Sequence, residues 1–204
     1  MYGLLGEKLL VQRTMPTENR IPSREECFAL IAQYHMLPHI REHSRAVCAL
    51  ALCLARELNA EGFHFDLAEV EAAALLHDIT KTRSLETGED HARTGAELLE
   101  QLGFHRIAHI VRQHINPEDC ADTISIEELI SYADKRVLHD KPVTLRERFD
   151  YLVERYGSTE QALRRIEQAY QRTRAIEQKI MHALHSNNPE RMTISDEIEP
   201  RLLP

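Results

Sequence analysis

Apolar residues recur at helical spacing in one stretch of this chain after another, and each stretch is bounded by a capping residue or a breaker. Val47, Leu50, Ala51 and Leu54 form one such stripe. Residues at i, i+3, i+4 and i+7 share a helix face, so this pattern marks helices with one side buried. Alternating strand patterns and Asn-Gly or Asp-Gly hairpin signals are missing. With 7 glycines and 8 prolines in 204 residues, turn chemistry for a many-stranded fold is scarce. The expectation is an all-α chain whose core is built from Ala, Leu, Ile and Val.

Capping signals divide the chain. Ser23 with Glu26 has capping-box spacing and opens a helix from Arg24 to about His35, which Pro38 ends. A second helix is expected from Ile40 to Leu58, and a third from Asp66 through Ala72, Ala73 and Ala74 to Asp78. Those alanines are small enough for a neighbouring helix to approach closely. Thr80 to Gly88 reads as a polar loop. Helices are then expected from Asp90 to Gln101, with Gly103 as C-cap, and from Arg106 to His114. Ser125 with Glu128 opens one to about His139, and Thr144 with Glu147 another to Tyr156. A long final helix runs from Thr159 to His185, with the stripe Leu163, Ile166, Tyr170, Ile176, Ile180 and Leu184 broken at Thr173. The stripe is expected to pack on the body or to support a homodimer contact. Residues 1–23 read as an irregular arm, 24–156 as the main domain, 157–185 as a helical extension and 186–204 as a tail.

Composition limits the function classes. A net charge of −8 disfavours bulk nucleic-acid binding, which needs clustered positive charge, but leaves room for a local basic pocket. Nothing approaches the roughly 18 apolar residues that span a bilayer. Residues 1–11 lack the basic start and apolar run of a secretory signal, so a cytoplasmic protein without membrane contact is expected. Cys27, Cys48, Cys53 and Cys120 form no CxxC pair, which argues against a zinc knuckle and for buried thiols.

Twelve histidines is a high count, and position sorts them. His77-Asp78 ends the apolar run AAALLHDITK, so one anchored segment supplies an imidazole nitrogen and a carboxylate oxygen, both ligands for divalent first-row metals. His43 lies near the start of the preceding helix, and Asp134 follows apolar residues in LISYADKRV. Four ligands from three helices can close on one ion in a bundle. His91 and His114 could hold a second, with Asp78 bridging. His35, His39, His64, His105, His109, His139, His182 and His185 read as surface or packing residues.

His43, then His77-Asp78, then Asp134 resembles the H…HD…D order of the HD-domain phosphohydrolases, over about residues 24–156. LLHDITK is similar to their HDIGK variant, with Thr80 in place of glycine. With His91 and His114, the pattern resembles the dinuclear members, among them symmetrical diadenosine tetraphosphate hydrolases and cyclic-dinucleotide phosphodiesterases. Against the latter, His114 is followed by Ile115 rather than histidine, and no GYP motif is present.

The resemblance implies an HD-type helical bundle holding one or, more in keeping with the six ligands, two divalent ions (Fe, Mn, Co, Zn or Ni). It implies hydrolysis of a phosphoester or phosphoanhydride in a small nucleotide-like substrate, by hydroxide that a metal supplies near neutral pH. Asp78 would bridge the ions or orient the nucleophile. Lys81 would contact a phosphate oxygen, and Arg83, Arg93, Lys135 and Arg136 are further substrate-binding candidates. Dinucleoside polyphosphate or phosphodiester cleavage is expected ahead of monoester cleavage. The alternative is a sensor that binds a nucleotide without turning it over.

Overall fold

The computed structural model describes residues 20–118 and 123–185. The expectations for most of the N-terminal arm, for the tail and for Cys120 fall outside them. The helices in chain order are α1 (Arg24–Gln33), α2 (Pro38–Ala60), α3 (Leu67–Leu76), α4 (Lys81–Thr87), α5 (His91–Gln101), α6 (His105–Gln113), α7 (Ile126–Lys135), α8 (Leu145–Tyr156) and α9 (Glu160–Ala183). The chain is all-α, as its apolar periodicity predicts, and it carries the expected long C-terminal helix.

Helix α3 is the centre of the packing and touches α1, α2, α6 and α7. Its run Ala72–Leu76 is at most 3% exposed at every position. A helix apolar on all sides must be surrounded, and the three alanines bring α2 close along its length. From α2, Val47, Leu50, Ala51, Leu54 and Leu58 meet it, each 2% exposed or less. Burying each leucine contributes about 1.5–3 kcal/mol. Helices α5 and α6 pack as a pair and join the body through Leu99, Ile107, Ile110 and Val111. The turn between them depends on Gly103 at φ +84°, where Phe104 N–H bonds Leu99 C=O.

Three capping boxes form where the sequence places them, at Ser23–Glu26, Ser125–Glu128 and Thr144–Glu147. Three readings need correction. Residues Lys81–Thr87, expected as loop, form the short helix α4, held by Ser84 N–H to Thr80 C=O and stopped at left-handed Gly88. It buries no side chain, so it leaves no apolar stripe to read. Helix α7 ends at Lys135, and Val137–Leu138 then pairs antiparallel with Lys141–Pro142 (β1 and β2) around His139 at φ +57°. That turn lacks the glycine that usually announces a hairpin.

The third concerns Thr173, which is 4% exposed and lies within the buried stripe of α9 rather than breaking it. Its hydroxyl donates to the Ala169 carbonyl, which satisfies the group inside the interface. With Ile176, Ile180 and Met181 it packs α9 onto the body, in contact with α7 and α8. Cys27 and Cys48 are buried thiols, as expected, and Cys53 is half-buried. No described helix is long and apolar enough to cross a membrane.

Candidate metal centre

Helix ends deliver the polar groups to one place. The apolar run of α3 drives its C-terminus into the core, leaving its C-cap His77 fully buried and Asp78 6% exposed. His114 is the C-cap of α6, and His91 is the first residue of α5, after the N-cap Asp90. His43 lies in the second turn of α2, and Asp134 lies in the last turn of α7.

Backbone carbonyls fix three of the imidazoles. His77 Nδ1–H donates to Ala74 C=O (2.7 Å), His114 Nδ1–H to Val111 C=O (2.7 Å) and His43 Nδ1–H to His139 C=O (2.8 Å). Such bonds set the tautomer and leave each Nε2 lone pair for a ligand. His43 Nε2 is 2.9 Å from Asp134 Oδ1. His77 Nε2 is 3.6 Å from Asp78 Oδ2 and 3.8 Å from Asp134 Oδ1. The other Asp78 oxygen, Oδ1, is 3.0 Å from His91 Nε2 and 3.8 Å from His114 Nε2. Ligand atoms of His43, His77 and Asp78 form one cluster within 4.8 Å, and those of Asp78, His91 and His114 form a second. Asp78 turns Oδ2 toward His77 and Oδ1 toward His91 and His114, so both clusters share this one carboxylate.

The electrostatics favour a cation here. His77 Nε2 and Asp78 Oδ1 are buried without a hydrogen-bond partner, and a buried polar atom left so costs about 1–3 kcal/mol. An imidazole lone pair facing two carboxylates is repulsive unless a positive charge sits between them. A proton fills that role poorly. Burial holds the His77 imidazole below its ordinary value despite the neighbouring Asp78 and Asp134, and burial with His77 nearby lowers His114 to about 3. Burial opposes ionisation of Asp78, yet His77, His91 and Lys81 hold it well below the usual carboxylate range. Lys135, then His43 and His77, do the same for Asp134. The imidazoles of His77 and His114, held neutral by burial beside the ionised carboxylates of Asp78 and Asp134, suit a divalent-metal ligand set of nitrogen and oxygen.

His43 differs. Burial works to lower it, but its bond to Asp134 and the charges of Asp134 and Asp78 hold it above its ordinary value. The metal-stripped protein is therefore expected to be most stable near about pH 6.5. Below that, the unfolded chain binds protons that buried His77 and His114 refuse, so stability falls with falling pH. Above it, folded His43 holds a proton that the unfolded chain has released, so its contribution is lost as pH rises through its raised value. Thermal melts in chelator across pH check this, and a flat profile would contradict it.

These groups open onto a cleft of about 490 Å³. His43, Asp78, His91, His114, Asp134, Lys81 and Lys135 line it, and His77 lies beneath its floor. Lys81 Nζ is 3.6 Å from Asp78 Oδ1 and 3.0 Å from His91 Nε2; Lys135 Nζ is 2.6 Å from Asp134 Oδ2. Three candidates stand elsewhere. Arg83 and Arg93 pair with Glu89 and Glu97 outside the cleft. Arg136 points inward, 2% exposed, donating to Val143 C=O, the Tyr132 hydroxyl and Glu177. The cleft also holds His39, His139, Arg148 and Tyr151, which the sequence reading did not single out as site residues. Only the left-handed turn at His139 brings its carbonyl to His43, and no sequence signal announces that turn.

Residues 40–148 match the family model for the HD domain. Among curated proteins, the chain is 32% identical over 145 residues to a tRNA (cytidine(56)-2'-O)-methyltransferase of Thermoplasma volcanium, which covers 64% of this chain and 41% of that one. It is 28% identical over 143 residues to an uncharacterized protein of Methanocaldococcus jannaschii, covering 63% and 83%. It is 30% identical over 120 residues to ribonuclease Y of Treponema pallidum, covering 58% and 22%. The chain thus spans less than half the length of the methyltransferase and under a quarter of that of the ribonuclease. A crystal structure of a predicted HD superfamily hydrolase from an uncultured Thermotogales bacterium aligns with a TM-score of 0.48 at 23% identity, over 80% of this chain and 94% of that one.

Proposed function

Since the chain belongs to the HD domain family, we propose that it is a metal-dependent phosphohydrolase, cleaving a phosphoester or phosphoanhydride bond in a small nucleotide-like substrate. The observation that carries this reading is Asp78, whose Oδ2 faces the His77 Nε2 while its Oδ1 faces the Nε2 atoms of His91 and His114. His43, His77, Asp78 and Asp134 would hold one divalent ion, and Asp78, His91 and His114 a second. Such ions supply an activated water and offset negative charge on the phosphoryl oxygens.

The chain's own residues do the rest. The carbonyls of Ala74, Val111 and His139 keep the three imidazoles aimed. Lys81, on the first turn of α4, stands beside Asp78 and His91, where its ammonium meets a phosphoryl oxygen. Lys135 neutralises Asp134 and leaves the cleft less repulsive to an anionic substrate. The match to a ribonuclease supports a diester ahead of a monoester.

The test is a hydrolysis screen of purified protein loaded with Mn, Fe, Co, Ni or Zn, against dinucleoside polyphosphates, cyclic nucleotides, mononucleotides and bis(4-nitrophenyl) phosphate. Turnover of at least one class is expected, abolished by chelator and restored by metal. Tight binding of intact nucleotide by loaded protein, with no turnover of any class, would replace this reading with that of a sensor.

A further inference from the structure

One wall of the cleft carries a cation that the metal end leaves uncommitted. Arg148, in the first turn of α8, lines the same cleft as Asp78 and Asp134. Lys81 and Lys135 are each engaged by a carboxylate of the centre. Arg148 has no ion-pair partner among the described residues, and its Nε is buried without a hydrogen bond. Its helix neighbour Arg146, by contrast, is exposed and pairs with Asp150.

Contacts along this wall give its order. His43 donates to the His139 carbonyl, and the His139 ring meets the Tyr151 ring edge-on, centroids 5.7 Å apart. The Arg148 guanidinium carbon lies 6.0 Å from the Tyr151 ring centroid. Arg148 therefore stands beyond His139 and Tyr151, three contacts out from His43 along the wall of the cleft that Asp78 and Asp134 also line. The rim adds Leu85, Ile115 and Tyr156, which are 63%, 42% and 59% exposed. An apolar rim suits the organic part of a ligand rather than inorganic phosphate. A guanidinium's planar fork fits phosphoryl oxygens two at a time.

We propose that Arg148 binds a second phosphoryl group of the substrate, adjacent to the one at the metals, and so makes the site selective for organic phosphates with two or more linked phosphoryl groups. This rests on the phosphohydrolase reading and narrows its substrate class.

The experiment is calorimetric titration of the metal-loaded full chain with two adenosine ligands that resist hydrolysis. One is α,β-methylene-ADP, with two phosphoryl groups, and the other is the 5′-methylenephosphonate analogue of AMP, with one. The wild-type chain is expected to bind the first at least about tenfold more tightly, and Arg148→Ala to shrink that preference to about twofold. Arg148→Gln keeps the aliphatic stem and takes the test if the alanine variant melts early. A preference unchanged in a folded variant, or absent from the wild-type chain, overturns the proposal. Wild-type turnover across all the substrate classes of the hydrolysis screen is measured alongside and tests hydrolysis alone. Turnover with an Arg148-independent preference defeats only the Arg148 assignment; an Arg148-dependent preference without turnover defeats only the hydrolytic reading.

Discussion

Asp78→Asn is expected to lower kcat/KM by about 1000-fold or more on whichever substrate the wild-type enzyme turns over, with the fold retained. The size of the loss follows from position. Asp78 Oδ2 faces His77, while Oδ1 faces His91 and His114, so one substitution weakens both ligand clusters. The amide has nearly the shape of the carboxylate but no negative charge, and its NH2 end cannot ligate. Arg83→Ala is the matching control. Arg83 pairs with Glu89 outside the cleft, so its loss is expected to change kcat/KM by no more than about twofold. Steady-state kinetics on both variants check the contrast. An Asp78→Asn enzyme within about tenfold of wild type would show that the two clusters do not share this carboxylate.

Arg136→Ala is expected to have the largest effect on stability, about 3–5 kcal/mol, or a Tm lower by roughly 10 °C. The guanidinium is 2% exposed and joins three elements. It donates to Val143 C=O (2.7 Å) after the hairpin, to the Tyr132 hydroxyl on α7 and toward Glu177 on α9 (3.4 Å). Tyr132 also donates to Glu177 (2.9 Å), so removing the arginine strands a carboxylate at 16% exposure whose remaining partner among the described residues is the neutral Tyr132 hydroxyl. Removing both charges should cost less than the single change, because no unpaired charge remains. Arg136→Met with Glu177→Met is therefore expected to melt above Arg136→Met alone. Chemical denaturation measures all three. A cost below about 1 kcal/mol for Arg136→Ala would mean that the network is not what fastens α9.

Much of the fold was legible because local chemistry and global packing agree. Ser23, Ser125 and Thr144 each precede a glutamate by three residues, and each forms the capping box its spacing predicts. The run AAALL before His77 is apolar enough to dictate a central helix, and the end of that helix puts His77-Asp78 in the core. What was hidden lacked a periodic signal. Helix α4 buries nothing. The hairpin depends on a left-handed histidine. Thr173 looks like a polar break until its hydroxyl bonds Ala169.

Charge was the least legible feature. Lys135 and Arg136 are adjacent in sequence, yet Lys135 faces Asp134 in the cleft and Arg136 faces Glu177 beneath α9. One residue of helix turns a side chain by about 100°, enough to exchange the cleft for a core network. Arg148 sits between Glu147, which caps α8, and Phe149, which is buried, and nothing in that order marks it as part of a binding wall.

The central claim is that two ligand clusters joined by Asp78 bind divalent metal. Elemental analysis of the purified chain, reloaded with Mn or Fe after chelation and dialysed, tests it most directly. The expected result is about two ions per wild-type chain and about one or fewer in Asp78→Asn. A wild-type chain that retains no ion, or an Asp78→Asn chain that retains as many as wild type, would contradict it.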